Sequence, residues 1–526
     1  MSTYDALIIG AGHNGLVCAI HLASKGWKVA VIEATDEAGG AVRTREVTLP
    51  GFRHDLFAMS LNLFAQSAFY KAYGEELRAH GLAFVSAPNP VASVFPDGTY
   101  LGISTDMEAT AGAIAAISPK DAVAWADMLK GFITMAPAIG GVMAARMPSW
   151  DVFRLLLSLW RRSGFAALLD LGRLAVSSSR EFLDRQFESE KVKTTVAAWG
   201  AHVDFAPQIA GGATFAWLQA MGSQLGPMTI GKGGADTIIK SMVSLLRAKG
   251  GELLLSSPVE TVLTEGDRAV GVRLKDGGTL SAKRAVISNV HPKLLFGSMI
   301  GATPNRETFD RAIAKYRAGP ASMTIHLALE SLPGWAASDA LKTYSYIHIA
   351  PDMDAIDRTY DEAVRGLLSA EPLLVVGQPT AFDPSRAPEG KHTLWVQVRF
   401  LPYEIKGDAK GEITATDWGE VKEVYADRVV DIIERYAPGL KAQILGRHVI
   451  SPRDLVQENP NLIEGDGTAG SHHLDQNFIF RPVPGYSTYK TPVKQLYIIG
   501  AATWPGAGTS AASGFLVAKG LAGQPR

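Results

Sequence analysis

The sequence has little of three features that often identify a class of protein: cysteine, an excess of one charge, and long apolar runs. Cys18 is the single cysteine in 526 residues, so disulfides within the chain, multi-cysteine zinc sites and dithiol redox chemistry are excluded. The 51 basic and 52 acidic side chains nearly cancel, which argues against nucleic acid as a partner. No secretory signal precedes the first apolar run, and a cytoplasmic location is expected.

No stretch of the sequence predicts a membrane-spanning helix. Residues 131–145 come closest, but they fall short of the roughly 20 apolar residues required and contain proline and glycine. Residues 152–175 interleave leucine with arginine and predict an amphipathic helix. Two interpretations remain open for this helix: peripheral contact with a membrane surface, or packing against its own domain.

Glycine is abundant, with 53 residues, and its clusters coincide with a recognisable pattern. A GxGxxG sequence at residues 10–15 lies between a predicted buried strand, 5–9, and a predicted helix, 16–24. A second predicted strand, 28–32, ends directly before Glu33. Strand, glycine turn, helix, strand and acid in this order predict a dinucleotide-binding unit.

Each residue of this unit has a physical role. Gly10 permits the tight turn, Gly12 lets the backbone approach a pyrophosphate, and Gly15 allows close packing of helix on strand. The N-terminus of the helix offers free N–H groups to phosphate. Glu33 accepts hydrogen bonds from ribose hydroxyls and would repel a 2′-phosphate, so NADP is disfavoured.

A pair of glycines, Gly39 and Gly40, follows Glu33 and is succeeded by Arg43 and Thr44. This E-x5-GG spacing resembles FAD enzymes of the amine oxidase and phytoene desaturase superfamily, and the resemblance implies FAD. Amine oxidases usually carry arginine directly after the glycines, where this chain has Ala41. The sequence is therefore more similar to the phytoene desaturase, carotenoid ketolase and pyridine-nucleotide-disulfide-oxidoreductase-like branch. Arg43 either contacts phosphate or is a solvated loop residue.

The far end of the sequence carries a second motif of the same superfamily. Residues 496–508, LYIIGAATWPGAG, match its closing pattern of strand, glycine turn and small-residue helix, and the helix is predicted at about 510–521. The resemblance places four residues at the cofactor: Gly500, Ala501, Gly506 and Gly508. Trp504 stands where desaturases often have histidine.

A third segment, in the middle of the chain, completes the predicted cofactor domain. A predicted helix at 237–249 leads through a glycine turn into a hairpin, and a buried strand follows at 285–289. The superfamily resemblance implies that Val259 contacts adenine through its backbone.

We therefore predict an α/β fold in which a Rossmann-type FAD-binding domain is interleaved with a mixed α+β substrate domain. The discontinuous FAD-binding domain is predicted at 1–75, 225–300 and 480–526, and the substrate lobe at 76–224 and 301–479. The first insertion is rich in helix patterns, whereas the second contains the strand-like runs 322–329, 373–376 and 393–400.

Candidate catalytic residues come from two further segments that resemble the same branch. Residues 51–55 match a G-F-x-x-D pattern, in which His54 or Asp55 is either a base or a structural loop residue. Gln476 and Arg481 belong to a D-Q…R-P pattern and lie either near the flavin or in structural pairs. Trp504 is the remaining candidate at the flavin face.

Other conspicuous residues favour structural roles. Neighbouring residues of a strand point to opposite faces, so the pair His472–His473 does not predict a metal site. Five large apolar residues form either a pocket lining or plain core: Trp199, Phe205, Phe215, Trp217 and Met221.

The sequence thus predicts an FAD-dependent oxidoreductase that dehydrogenates a small, largely apolar molecule, with a hydride passing to flavin N5. Oxygen, a quinone or another acceptor would reoxidise the flavin. Two alternatives remain open: an amine or amino-acid oxidase, and an FAD-binding interaction or regulatory protein with weak turnover. The sequence gives no indication of the oligomeric state.

Overall fold

A seven-stranded sheet is built around the N-terminal strand, Ser2–Ile9. The computed structural model describes residues 2–301 and 303–525. From one edge the strands run Val259–Glu265, Arg268–Leu274, Thr279–Ser288, Ser2–Ile9, Val29–Ile32 and Glu252–Leu254, and Leu496–Ile498 pairs in parallel with Thr279–Ser288. The two central neighbours of Ser2–Ile9 are parallel to it. The predicted dinucleotide-binding topology is confirmed.

Helices pack on the nucleotide-binding sheet and also occur in both insertions. Four pack around the glycine-rich end of that sheet: His13–Ser24, Ala68–Ala79, Thr237–Ala248 and Ala512–Ala522. The helix-rich character predicted for the first insertion is confirmed by six helices: Met107–Ile117, Pro119–Met143, Trp150–Val176, Ser179–Gln186, Glu190–Ala197 and Gly212–Leu225. The remaining α-helices are Asn62–Ala65, Pro292–Ser298, Glu307–Ala314, Met353–Arg365, Trp418–Tyr436, Leu440–Gln443 and Pro452–Glu458.

A second seven-stranded sheet forms the centre of the other lobe. Its strands run in the order Ile444–Ile450, Ala321–Leu329, His392–Leu401, Leu374–Gly377, Tyr346–Ile349, Val91–Val94 and Tyr100–Ile103. All three predicted strand-like runs of the second insertion lie in it. The first insertion contributes two strands that its helix-rich pattern did not predict. The exact domain boundaries stay a prediction.

Three short ribbons lie outside the two large sheets. They pair Phe84–Ala87 with Met228–Gly231, Thr44–Arg45 with His54–Asp55, and Leu367–Leu368 with Gly407–Asp408.

The two faces of the second sheet differ in polarity, and this difference indicates which face belongs to the candidate functional site. One face is mostly apolar and packs on the helix Trp418–Tyr436 through residues such as Leu394, Val396 and Val398. The opposite face carries polar and aromatic side chains at every second position, yet these are also largely buried. A polar face exposed to water needs no explanation, but a buried polar face requires partners.

Four of the five large apolar residues expected as pocket lining or core are buried, and Phe215 is partly buried. Trp199, Trp217 and Met221 belong to the buried cluster under the helices of the first insertion. Phe205 is fully buried and stacks on Phe215 with ring centroids 5.2 Å apart. Cys18 is buried in the first helix, as expected for a small core residue.

The amphipathic prediction for residues 152–175 corresponds to the helix Trp150–Val176, which is broken at Gly164, where φ is 80°. Its neighbour Pro119–Met143 corrects the expectation for membrane-spanning segments. In the described residues it is the single helix that is long and apolar enough to cross a membrane, judged by length and composition alone. Core helices of soluble proteins meet the same requirement, so this finding by itself assigns no span.

Candidate active site

The cofactor motifs converge because they follow the carboxyl ends of neighbouring parallel strands. Gly10 follows Ser2–Ile9, Glu33 follows Val29–Ile32, and the Leu496–Ile498 strand leads to Gly500. In parallel sheets these ends lie at one edge, where α/β proteins bind nucleotides. Segments almost 500 residues apart in the chain therefore form one cradle.

The geometry of the two glycine loops fits a dinucleotide. At Gly15 a Cβ atom would lie 2.1 Å from the carbonyl oxygen of Gly10, so only glycine permits this packing of helix on strand. At Gly40 a Cβ atom would lie 3.2 Å from Cα of Gly12, and the N–H of Gly39 donates to the Ala11 carbonyl. The two loops thus touch backbone to backbone, with no side chain in the space between them.

The first helix presents an uncapped N-terminus to this cradle. Its N-cap, Gly12, supplies no side-chain hydrogen bond, and the first turn contains no acidic residue. The first-turn N–H groups are left for phosphate oxygens, which the helix dipole also favours.

Glu33 and Arg43 line the same end of the cradle. The Glu33 carboxylate accepts hydrogen bonds from the N–H of Ala11 at 2.8 Å and from the N–H and hydroxyl of Thr35. It retains a free lone pair on Oε2, the acceptor that a ribose hydroxyl needs. Arg43 is buried and pairs with Glu37 and Glu458, so the interpretation as a solvated loop arginine is wrong.

Val259 begins the edge strand of the nucleotide-binding sheet, and its contact with adenine stays a prediction. The Thr44 hydroxyl donates to the Asp55 carboxylate at 2.6 Å.

The closing motif joins the last helix to the first. The N–H of Gly500 donates to the Ser513 hydroxyl, and that hydroxyl donates to the Asn14 side chain at 2.8 Å. The Gly508 carbonyl contacts Nε2 of His13 at 3.2 Å. All three glycines of this motif have positive φ, from 103° to 124°.

Of the catalytic candidates, Asp55 has a structural environment. One carboxylate oxygen receives Nη1 of Arg386 at 2.5 Å, and the other accepts from Thr44 and from the Ala235 N–H. Arg386 also pairs with Asp383 and donates to the Gly231 carbonyl. Both members of the Asp55–Arg386 pair are almost fully buried. The carboxylate therefore pins loops together, and no oxygen is left to act as a base.

His54 and Trp504 are also held in place by neighbours. Nε2 of His54 lies 2.8 Å from the Thr48 hydroxyl, and burial lowers the pKa of His54 to about 3, which keeps the ring neutral. The indole N–H of Trp504 donates to the Ala145 carbonyl, which ties the closing motif to the first insertion.

Gln476 and Arg481 form a clamp under the closing motif. Gln476 exchanges two hydrogen bonds with the backbone of Arg317, each 2.8 Å long. The fully buried Arg481 donates to the carbonyls of Ala501, Ser471 and Gly470. These contacts favour the structural interpretation of both residues, with the Arg481 charge close to the cofactor loop.

Sequence reasoning missed the buried acid nearest to this loop, Asp204. Its Oδ1 accepts from the N–H of His472, whose Nε2 in turn accepts from the N–H of Ala507 in the closing motif. Its Oδ2 is buried without a hydrogen-bond partner and lies 3.5 Å from Nε2 of His473. Asp204 also adopts a strained backbone, with φ of 103°.

Burial and the neighbouring Asp466 carboxylate raise the pKa of Asp204 to about 7. Burial also lowers the pKa of His472 well below its ordinary value. Asp204 can therefore hold or release a proton at neutral pH, and it lies beside residues of the cofactor motif. No sequence motif marks Asp204, although its neighbours His472 and His473 are conspicuous.

Comparison with known proteins agrees with this geometry. The family described as flavin containing amine oxidoreductase matches residues 15–459. The chain is 30% identical to the mouse pyridine nucleotide-disulfide oxidoreductase domain-containing protein 2, over 97% of this chain and 92% of that protein. It is 25% identical to one component of the limonene dehydrogenase of Castellaniella defragrans, over 98% of this chain and 94% of that protein.

The phytoene desaturase (neurosporene-forming) of Cereibacter sphaeroides is also 25% identical, over 96% of this chain and 91% of that enzyme. Among solved structures, an oxidoreductase from Methanosarcina mazei aligns with a TM-score of 0.62 at 16% identity, covering 98% and 99% of the two chains. A putrescine oxidase aligns with a TM-score of 0.60 at 16% identity, covering 99% and 98%. At these identities the two structures establish the fold alone.

Replacing Arg386 with methionine should destabilise the protein by roughly 3–5 kcal/mol, because the Asp55 and Asp383 carboxylates would remain buried without their cation. Urea unfolding measures this loss. Adding Asp55→Asn to that variant should recover part of it. Arg435→Met, which removes an exposed pair with Glu371, should change stability by less than about 1 kcal/mol. Equal effects of the two arginine variants would contradict the assigned role of Arg386.

Replacing Asp204 with asparagine should change how stability depends on pH. Since the folded protein holds a proton on Asp204 up to about pH 7, whereas an ordinary aspartate releases it near 3.8, wild-type stability falls as pH rises between these values. The asparagine variant lacks this decrease, so its stability relative to wild type should increase from pH 4.5 to pH 7. Urea unfolding of both proteins at several pH values measures this difference in stability. A constant difference would show that Asp204 titrates normally, and Asp475→Asn at an exposed carboxylate is the control.

Proposed function

The chain belongs to the flavin-containing amine oxidoreductase family and has FAD as its cofactor, and on this premise we propose that it dehydrogenates a small molecule with a largely apolar body. The observation that carries the proposal is that the cofactor lobe meets a buried sheet face that is aromatic and polar, since the ring of His54 lies 5.3 Å from that of His326 on this face. Bound FAD supplies a two-electron acceptor for a hydride. The protein supplies the shape, the electrostatics and the proton transfer.

The proton that leaves the substrate needs an acceptor within the protein. Asp204 is placed for this role, because its carboxylate has an unpartnered oxygen and a pKa of about 7. His472 holds the other oxygen through its backbone N–H and contacts the closing motif through its ring. We infer that Asp204 takes up the proton, while His472 orients it relative to the cofactor loop.

The substrate and the final electron acceptor are proposed on the likeness to dehydrogenases and desaturases. Relatives named as part of a limonene dehydrogenase and as a phytoene desaturase cover nearly the whole chain. They favour oxidation of a carbon framework, with oxygen, a quinone or another acceptor restoring the flavin.

An amine or amino-acid oxidase is the alternative proposal, favoured by the fold shared with putrescine oxidase. Ala41 in the usual arginine position of amine oxidases argues against it. A protein that binds FAD for a regulatory purpose is a further alternative, and turnover distinguishes it.

We also propose that the protein is cytoplasmic and makes peripheral contact with a membrane. The helix Trp150–Val176 exposes six large apolar side chains: Trp150, Phe153, Trp160, Phe165, Leu169 and Val176. The same helix carries four arginines against two aspartates, which complements an anionic lipid surface. An apolar substrate dissolved in lipid would be within reach of such a contact.

Purified protein should be yellow, release FAD on denaturation, and bleach anaerobically when a suitable carbon substrate reduces the flavin. A panel of terpenes, polyenes, amines and amino acids, followed by flavin absorbance, identifies the class. Bleaching by amines alone, with hydrogen peroxide formed in air, would instead support the oxidase alternative. Protein without flavin would refute the proposal, and flavin that no compound reduces while a protein partner co-purifies would favour the regulatory alternative.

Replacing both Arg161 and Arg162 with glutamate should reduce binding to anionic vesicles by about 10-fold or more, since each basic residue near such a surface contributes about 1 kcal/mol. Co-sedimentation with phosphatidylserine-containing vesicles measures the bound fraction. The matched control is Arg435→Glu together with Arg358→Glu, outside this helix. An unchanged bound fraction in the helix variant would exclude the contact.

A further inference from the structure

Arg399 is a cation inside the substrate lobe whose charge has no counter-ion among residues 2–301 and 303–525. Its Nε is buried without a hydrogen-bond partner, and the guanidinium forms no ion pair within this part of the chain. Burial lowers the pKa of Arg399 to about 10, which still leaves it charged at neutral pH. The residue as a whole is partly exposed, but a cation whose Nε is shielded from water and unpaired is costly to retain, which indicates a partner that binds there.

The backbone directs this side chain into the interior. Trp395, Gln397 and Arg399 alternate along one strand and share the polar face of the sheet. Opposite them, Ser322 faces two residues, Arg399 and Phe400, because the register shifts between Met323↔Val398 and Ala321↔Leu401. Phe400 has φ of 59°, which completes a β-bulge. Bulges of this kind re-aim a side chain and are frequent next to active sites.

Further polar atoms on this face, or on the short helix Ala198–His202 packed against it, are buried without partners. They are Nε1 of Trp199, Nε1 of Trp395, Nδ1 of His348 and Oε1 of Gln397. Their side chains are connected through Tyr346, whose ring lies 5.8 Å from that of Trp395 and 6.4 Å from that of Trp199. The two indole N–H groups and the guanidinium make the face rich in donors, so it fits a ligand with acceptor oxygens.

The acids closest to Arg399 do not neutralise it directly. Asp466 lines the same narrow cavity, but its carboxylate already accepts from Gly319, Thr468 and Gly470. Asp204 lines the cavity as well, and its pKa of about 7 leaves it only partly ionised at neutral pH. The histidines facing the guanidinium, His202 and His348, are neutral.

We propose that Arg399 binds a carboxylate group of the substrate, so that the substrate class is an organic acid with an apolar body. The planar guanidinium matches a carboxylate through two parallel hydrogen bonds. The aromatic side chains beside it suit the apolar part, whereas the cation disfavours a protonated amine. This inference rests on the proposed function and narrows its substrate class.

The test compares three probes of equal chain length, decanoate, decanol and decylamine, in the FAD-loaded protein without turnover. Dissociation constants come from the change in flavin absorbance, and the shift in melting temperature gives a second measure. Wild-type protein should bind decanoate best. Arg399→Met should weaken decanoate binding by about 10-fold or more, as expected for charge-assisted hydrogen bonds, and leave decanol unchanged. Arg399→Lys should retain part of the affinity.

Arg435→Met is the matched control and should bind decanoate as wild type does. Equal decanoate affinity in wild type and Arg399→Met would overturn the proposal, as would tighter binding of decylamine than of decanoate. A selective loss of FAD affinity in both Arg399 variants would assign the guanidinium to the cofactor instead, which also overturns it. If inorganic phosphate competed as strongly as decanoate, the site would be a general anion site, and the proposal of a carboxylate-specific site would be wrong.

The binding of the probes and the turnover of a substrate test the two proposals separately. If no compound reduces the flavin while decanoate binding still depends on Arg399, the proposed function is wrong and the anion site remains. If a substrate without any acidic group reduces the flavin rapidly in both wild type and Arg399→Met, the proposed function holds and this inference is wrong.

Discussion

The buried contact between Asp55 and Arg386 holds the two lobes in register. Arg386 comes from the substrate lobe, whereas Asp55 follows the second glycine loop and also binds Thr44 and Ala235 of the cofactor lobe. The guanidinium also donates to the carbonyl of Gly231, which begins the glycine-rich segment 231–234. One charged pair therefore fixes the point where three loops meet, and the position of these loops shapes the space beside the cofactor.

Three interior arginines, of which Arg399 is partly exposed, show how differently a cation can be accommodated. Arg386 is neutralised by two carboxylates, and Arg481 is solvated by backbone carbonyls under the closing motif. Arg399 has neither kind of partner within the described residues. The first two arrangements are complete in themselves and serve the architecture. The third is incomplete without a further molecule, and this difference separates a binding residue from a structural one of the same type.

The cofactor lobe was predictable because its information is local. The turn at Gly10, the helix after it and the hairpin before residue 288 each follow from a short run of sequence, and their ends agree with the structure to within a few residues. Asp55 and Gln476 were harder, because a polar residue in a motif can serve either chemistry or structure, and only its partners decide. Asp204 was missed because its strained backbone and burial arise from distant segments. Arg399 had a detectable pattern, since polar residues alternate along a strand whose other face is mostly apolar.

The bond network from Gly500 through Ser513 to Asn14 joins residues about 500 positions apart in the chain. During synthesis the first glycine turn is made roughly 500 residues before the helix Ala512–Ala522 that supports it. The nucleotide-binding unit is therefore incomplete until that helix has been made. A chain shortened before this helix would lack half of a binding site whose recognisable motif lies far away in the sequence.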